Sequence, residues 1–459
     1  MELNIEYIFI LCILYINDIG DDLMNNHMDI PWHEYTNKDS KVKIENASLT
    51  EKSSVIGRIG LMLLACGTGA WRVRSSMNTI ASELNITCIA DIGLTNISYT
   101  CIDGIDSHAQ SLSLHNTSVN TSKLARMEDF VYHFKDECKT CTCNEIHNQL
   151  DQIESIHSSY SPIILGLAAA LACSCFTFLL GGGPIEMLCA FVGAGLGNTL
   201  RMKLIKHNYT LFLNVAASVS LACLAYALLF NFLETCFGIA TQHEAGYICS
   251  MLFIIPGFPF ITSGIDLAKL DLRSGIERLA YAIIIILAAT LTAWICALVL
   301  HLQPVDFVKL HISTSTKLLL RLLTSFGGVF GFSIMFNSSK KIAASAGCIG
   351  AIANTLRLTL VDLSLPAAAA AFIGALTAGL LASMIKGNTG YPRIAITVPS
   401  IVIMVPGLYM YRAIYNLELA STMSIGANWF IQSLLIVLAL PMGLIFARIL
   451  TDSSFRYCT

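Results

Sequence analysis

The sequence predicts an α-helical polytopic membrane protein: ten transmembrane helices as two inverted five-helix repeats, preceded by a small cytoplasmic α+β domain. Three observations predict it: a composition too apolar for a water-soluble core, ten long apolar segments after residue 160, and two motifs that recur in the same order. The chain has 459 residues, 55% hydrophobic and 13% charged, with a mean hydropathy of +0.65. A soluble domain is roughly a quarter charged, so lipid must solvate much of this side-chain surface. The composition argues against disorder and collagen-like repeats. A net charge of −3 without a long basic run argues against nucleic acid as a partner.

Residues 1–54 read as a polar N-terminal tail. Its apolar run, Leu3 to Ile16, is too short for a hydrocarbon core of roughly 30 Å, and Glu2 and Glu6 stand where a signal peptide carries positive charge. Asn17 to Lys52 is mixed and polar and reads as mobile. Residues 55–160 read as the cytoplasmic α+β domain. Ile56 to Leu84 carries Ile59, Met62, Leu63, Val73, Met77 and Ile80 at helical spacing, and Thr87 to Ile92 and Asn96 to Ile102 alternate as short strands. Ser122 to Lys135 and Asn144 to Tyr160 read as helices. Asp103, Asp106 and His108 fall in an assigned loop with no nucleophile beside them, so no enzymatic activity is expected.

Eight of the sixteen cysteines lie in apolar runs, where a thiol behaves as a small hydrophobe, and a reduced compartment is the simplest setting for the others. Cys138, Cys141 and Cys143 between His133 and His147 have zinc-compatible chemistry but not the spacing of paired CxxC sites, so no metal or other cofactor is expected.

From Ile163 the apolar segments follow one another: 163–180, 184–200, 210–232, 246–265 and 279–302 within 161–303, then 317–336, 341–361, 365–385, 394–411 and 429–450 within 304–459. Each approaches the roughly 20 residues of a crossing. On the side shared by the soluble domain and the C-terminus lie twelve basic residues (Arg201, Lys203, Lys206, Lys269, Arg273, Arg278, Lys340, Lys341, Lys386, Arg393, Arg448 and Arg456), against Lys309, Lys317, Arg357 and Arg412 opposite. The positive-inside rule then places both termini in the cytoplasm. The sequons at Asn85, Asn96, Asn116 and Asn120 become chance matches.

Asn198-Thr199-Leu200-Arg201 recurs as Asn354-Thr355-Leu356-Arg357, 156 residues on, and Ile255-Pro256-Gly257-Phe258 returns as Val405-Pro406-Gly407-Leu408, 150 residues on. Matches in one order at nearly one offset indicate a duplicated five-helix unit. Five crossings end on the side opposite their start, so the copy must be inverted. That is the architecture of many secondary transporters, with a substrate site near the midplane. A Pro-Gly pair inside a span removes a backbone hydrogen bond, and the freed groups are tolerated only in protein or beside a wet cavity. Pro256, Gly257, Pro406 and Gly407 are therefore expected to present opened backbone to a substrate, aided by the side chains of Asn198, Thr199, Asn354 and Thr355; Pro399 adds to the second break. Asp266, Glu186, Asp362 and Glu244 are the carboxylates near segment ends. Asp266, ten residues past the first break, is the first candidate for proton coupling, with Glu186 second. Gly181-Gly182-Gly183 and the set Gly193, Gly195, Gly197 follow no strand, so they read as close helix packing and not as a nucleotide loop.

With these residues in view, the chain resembles the bacterial threonine/serine exporter family. Four stretches carry the resemblance: Gly60 to Gly67 with Trp71-Arg72-Val73; Phe178 to Gly183; Ile255 to Phe258 with Asp266-Leu267 and Ser274 to Leu279; and Ile394 to Arg412 with Val405 to Leu408. The resemblance implies a multi-pass protein of the bacterial inner membrane that exports threonine and serine from the cytoplasm, driven by protons. Its expected partners are a small-molecule substrate, protons and the bilayer, with self-association left open. Related split pairs are implicated in dicarboxylate export, so a succinate-type exporter is the alternative, beside a channel or a membrane sensor using the soluble domain. Arg74 stands where the resemblance implies an acidic residue.

Overall fold

The structure, a computed structural model, describes residues 30–35, 41–115, 117–156, 159–238, 246–302, 307, 312–389, 392–417 and 422–456. The run Leu3 to Ile16, Cys12, Asn116, Glu244, Lys309 and Cys458 lie outside the described residues, as does the side chain of Lys386.

Helix α1 (Leu49–Ala65) starts at a capping box in which Ser48 and Glu51 satisfy each other's backbone N–H. Gly67, at φ +79°, turns the chain into α2 (Ala70–Glu83). The one helix expected over Ile56 to Leu84 is therefore two. Both lie on the same sheet, α1 over β2 (Asn96–Asp103) and β3 (Asp106–Ser113) and α2 over β1 (Thr87–Ile92), so the apolar stripe resumes after the turn and hides it. The sheet is antiparallel in the order β1-β2-β3. Asp103, Asp106 and His108 belong to the β2–β3 hairpin, not to a loop. Strand β3 is an edge whose one buried residue among Asp106–Ser113 is Leu112, too polar for the alternation that reveals β1. Helices α3 (Thr121–Glu137) and α4 (Cys143–Glu154) pack on α1. Part of the stretch expected to be a mobile tail is also docked. Trp32, 9% exposed, stacks on His147, and Ile44 is fully buried with its N–H on the Cys141 carbonyl at 2.9 Å.

The rest is helical: α5 (Pro162–Leu179), α6 (Pro184–Lys206), α7 (Leu211–Phe237), α8 (Tyr247–Ser250) followed by a 3-10 turn Leu252–Ile254, α9 (Gly257–Ala268), α10 (Leu272–Val299), α11 (Thr314–Met335), α12 (Lys340–Asp362), α13 (Ala367–Thr389), α14 (Arg393–Val402), α15 (Gly407–Leu417) and α16 (Met423–Thr451). Among the described residues, seven helices are long and apolar enough to cross a bilayer: α5, α7, α10, α11, α12, α13 and α16. The bent pairs Tyr247–Ile254 with Gly257–Ala268 (52°) and Arg393–Val402 with Gly407–Leu417 (49°) are two further candidates. The ten expected spans thus become seven to nine by length and composition. Helix α6 is not among them: Glu186, Asn198, Thr199 and Arg201 lower its hydropathy, although it packs between α5 and α7. Rows of exposed large residues, such as Ile283, Leu287, Leu291 and Ile295 on α10 and Phe430, Leu434, Leu438 and Met442 on α16, need a nonpolar solvent. This is a multi-pass membrane protein.

Helix contacts recur along the chain. Helix α5 packs on α6, α6 on α7, α7 on α10 and α9 on α10; in the same order α11 packs on α12, α12 on α13, α13 on α16 and α15 on α16. The two sets join where α5 meets α11. One face of the bundle, called near below, carries the α+β part. Thr121 N–H donates to the Phe336 carbonyl at 3.0 Å, Tyr160 Oη to the Ser338 carbonyl at 2.9 Å, and Arg74 pairs with Asp271 at 2.5 Å. Arg74 thus supplies a docking contact.

Candidate functional site

The two Pro-Gly breaks meet. A proline at 256 or 406 ends the helical ladder, and the chain solves both breaks alike: Gly257 N–H donates to the Ile255 carbonyl at 2.8 Å and Gly407 N–H to the Val405 carbonyl at 2.9 Å. Each glycine faces the other break. A Cβ on Gly257 would lie 3.2 Å from both Val402 methyls and 3.4 Å from Val405. A Cβ on Gly407 would lie 2.9 Å from Leu252 and Ile255. Subtracting 150 from 402 and 405 gives 252 and 255, so the same contact is made twice with the halves exchanged. The surface between the breaks is apolar and close-packed. Away from the near face, the buried hydroxyls of Tyr247 and Tyr411 share a 2.6 Å hydrogen bond between α8 and α15. Tyr411 belongs to a stretch that carries the family resemblance, but nothing local pairs it with Tyr247, because an apolar-run tyrosine has no local signature of its partner.

The Asn-Thr pairs lie on α6 and α12. Asn198 on α6 donates to the Leu165 carbonyl at 2.8 Å, while its buried Oδ1 has no hydrogen bond. Thr199 Oγ1 donates to the Gly195 carbonyl of its own helix at 2.7 Å. Asn354 on α12 donates to Ser325 Oγ at 2.9 Å and accepts from Arg357 Nε at 2.9 Å, and Thr355 Oγ1 is buried without a hydrogen bond. Two of these bonds run to α5 and α11 and two stay within α6 and α12, and Asn198 Oδ1 and Thr355 Oγ1 are the atoms left over. Glu186 is fully buried and accepts the Gly183 N–H at 2.9 Å, capping α6. The glycines Gly193 and Gly197 let α6 approach the Ala222 and Ser218 carbonyls of α7, which is packing.

Asp266 lies at the near end of α9, fully buried, and faces the α+β part. Its Oδ2 accepts from Ser274 Oγ at 2.9 Å and Ala70 N at 3.2 Å and pairs with Arg278 Nε at 3.3 Å; Oδ1 has no hydrogen bond. Arg278, counted as a loop charge in the sequence, is 2% exposed and donates to the Gly67 and Thr68 carbonyls at 3.2 and 2.7 Å. One buried ion pair thus joins the bent span to the turn between α1 and α2.

Inside the α+β part, the structure collects a group the sequence did not: Ser54 Oγ lies 3.1 Å from His147 Nε2, and Arg58 Nη1 lies 3.3 Å from His147 Nδ1 and pairs through Nη2 with Asp151 and Glu154. Burial, and then the Arg58 charge, push His147 down to about 3. With Arg58 donating to Nδ1, the neutral ring carries its proton on Nε2 and gives it to Ser54, which in turn donates to the Glu51 carbonyl. That arrangement cannot activate a serine. Asp151, which burial alone would raise, is held low by hydrogen bonds from Arg58 and His33. Between pH 6.5 and about 3 the unfolded chain binds a proton at His147 that the folded chain excludes, so stability falls as pH falls through that window, and Asp151 adds to the loss below 3.8. An acid titration followed by tryptophan emission, with Trp32 stacked on the ring at 6.2 Å, is expected to show this limb and His147→Gln to flatten it; equal limbs would refute the assignment.

The cysteine cluster splits. Cys138 turns to Gln149 Oε1, Cys141 to the Glu137 carbonyl and Cys143 to the Glu51 carbonyl. Burial pushes the Cys138 and Cys143 thiols up to about 12, against thiolate ligation. Among the described residues no three His, Cys, Asp or Glu are placed to hold a metal.

Comparison with known proteins agrees with the resemblance read from the motifs. A family described as "Putative threonine/serine exporter" matches residues 54–300, and one described as "Threonine/Serine exporter, ThrE" matches 321–450. A protein of Mycobacterium tuberculosis (strain ATCC 25618 / H37Rv) named "Probable threonine/serine exporter" is 21% identical over 418 residues, which cover 87% of this chain and 76% of that protein. No solved structure matches.

Proposed function

Because the chain belongs to the threonine/serine exporter family, a family of transporters and not of enzymes, we propose that it carries threonine and serine out of the cytoplasm across a bacterial inner membrane in exchange for protons. In this reading both termini are cytoplasmic, the near face is the cytoplasmic face, and residues 161–303 and 304–459 are inverted repeats. The recurring helix contacts and the exchanged glycine contacts at the breaks support the repeats. The observation that carries the reading is the joint itself: two bent spans from different halves meet at their Pro-Gly breaks, with a tyrosine pair closing the far side. Rocking one half on the other opens that joint alternately to each side. The substrate takes the backbone freed at Pro256, Gly257, Pro406 and Gly407, with Asn198, Thr199, Asn354 and Thr355 beside it. Asp266 takes the proton at Oδ1, which weakens its hold on Arg278 and so loosens the Gly67–Thr68 turn; Glu186 is the second carboxylate candidate.

Counterflow in proteoliposomes with labelled threonine tests this. Serine is expected to compete and succinate is not, net efflux stops when the proton gradient is collapsed, and Asp266→Asn keeps exchange while losing its pH dependence. Competition by succinate would identify a dicarboxylate exporter, and flux indifferent to the gradient a channel.

A further inference from the structure

A small, partly open cleft with an internal volume of about 20 Å³ lies on the near face where α9 of the first half meets α14, α16 and the C-terminal turn Ser453–Arg456 of the second. Arg393, Arg448, Thr397, Ile265, Leu444 and Phe455 line it. We propose that this cleft is the near-side subsite for the α-carboxylate of the amino-acid substrate, held by the guanidinium groups of Arg393 and Arg448. The inference rests on the exporter reading above and adds to it where the substrate first binds.

The charges require an anion. Arg393, 7% exposed, donates to Thr451 Oγ1 and to the Gly379 carbonyl, both at 2.7 Å and both neutral. Arg448 Nε is buried without a hydrogen bond, and the nearest carboxylate oxygen paired with it, Asp452 Oδ2, stands 3.7 Å away. Arg72, close by, is taken up by Glu128. Among the described residues Arg393 has no carboxylate at ion-pair distance and Arg448 has Asp452 at 3.7 Å; buried positive charge held so loosely is costly until an anion completes it, and a pair of guanidinium forks matches the two oxygens of a carboxylate. The Trp71 and Phe455 rings, each 4.5 Å from the Arg448 guanidinium carbon, fix the fork in place. Ile265 and Leu444 give an apolar wall for a small side chain. The cleft sits between the two halves, at the near ends of the bent spans. A lipid headgroup would need a seat on the perimeter, so the position favours the substrate.

The full-length protein in detergent is titrated with threonine, acetate and threoninamide while tryptophan emission is followed. Threonine and acetate are expected to change the emission of Trp71, threoninamide is not, and Trp71→Phe removes the signal. Arg448→Gln and Arg393→Gln are expected to weaken the threonine response about 10- to 100-fold, the loss of a hydrogen bond to a charged group. The half-saturating threonine for counterflow rises by the same factor in phosphatidylcholine vesicles. If Arg393→Gln fails to fold through its lost bonds to Gly379 and Thr451, Arg448→Lys keeps the charge, loses the fork, and is expected to weaken binding with native helicity. Unchanged threonine-over-threoninamide discrimination in the arginine variants overturns the subsite, even where counterflow upholds the exporter. An effect that needs phosphatidylglycerol in the vesicles also overturns it, by assigning the cleft to lipid phosphate. Carboxylate-dependent emission without any threonine counterflow would uphold the oxyanion site and overturn the exporter reading alone.

Discussion

Arg278→Ala is expected to cost about 3–5 kcal/mol, the penalty for leaving a buried charge without its partner. Asp266 would remain fully buried with only Ser274 Oγ and the Ala70 N–H against it, and the Gly67 and Thr68 carbonyls would lose their donors. The damage falls on the joint between the α+β part and the bundle, so the variant is expected to melt earlier in detergent and to be cut by protease in the turn between α1 and α2. Arg273→Ala is the contrast. Arg273 pairs with Asp91 and Glu277 in the same neighbourhood, but its side chain is 47% exposed, and its loss is expected to leave the melting temperature close to that of the wild type. Replacing both charges, as Arg278→Met with Asp266→Asn, is expected to recover much of the stability while leaving transport uncoupled from pH. A single variant that melts with the wild type would show that the pair does not hold the joint.

Gly407→Leu is expected to leave the protein folded and to stop exchange. Its Cβ would press on the ends of Leu252 and Ile255 at 2.9 Å, flexible side chains that can yield at a cost of about 1–3 kcal/mol. That cost applies only while the two breaks pack together, so it biases the alternation and does not unfold a helix. A bias of about 1.4–2.8 kcal/mol lowers the population of the packed state about 10- to 100-fold, and threonine counterflow should fall with it. Gly257→Leu meets Val402 at 3.2 Å and is expected to act in the same direction more weakly. Exchange at the wild-type rate in both variants would mean that the breaks do not approach one another during transport.

Much of this was legible locally. Strand β1 is legible to the residue because Thr87–Ile92 alternates, and the Pro-Gly breaks because a proline followed by glycine both removes a ladder hydrogen bond and weakens the helix around it; Pro399, expected to add to the second break, and Pro441, neither followed by glycine, instead lie inside α14 and α16. The recurrence of Asn-Thr-Leu-Arg and of Pro-Gly also pointed to two halves. The turn at Gly67 was hidden because both flanking helices bury the same kind of face, and β3 because an edge strand with a single buried residue carries almost no apolar period. In the sequence Arg393 and Arg448 count only as loop charges, and Arg278 as a loop charge within the stretch Ser274 to Leu279 that carries the resemblance. Each is in fact enclosed by partners far away in the chain, Gly67 for the first, Gly379 for the second and Trp71 for the third.

By itself, then, the sequence determined that this is a bundle in lipid with two interrupted spans and a small α+β part ahead of it. Hydropathy, helical period and proline's missing N–H act over a few residues and need no knowledge of neighbours. Only the tertiary structure decided that the interruptions touch through exchanged glycine contacts, that Asp266 faces the α+β part, and that two arginines from different helices share a cleft. Whether a charge is solvated, paired or left wanting an ion depends on what other segments bring within a few ångströms of it, and no local pattern records that.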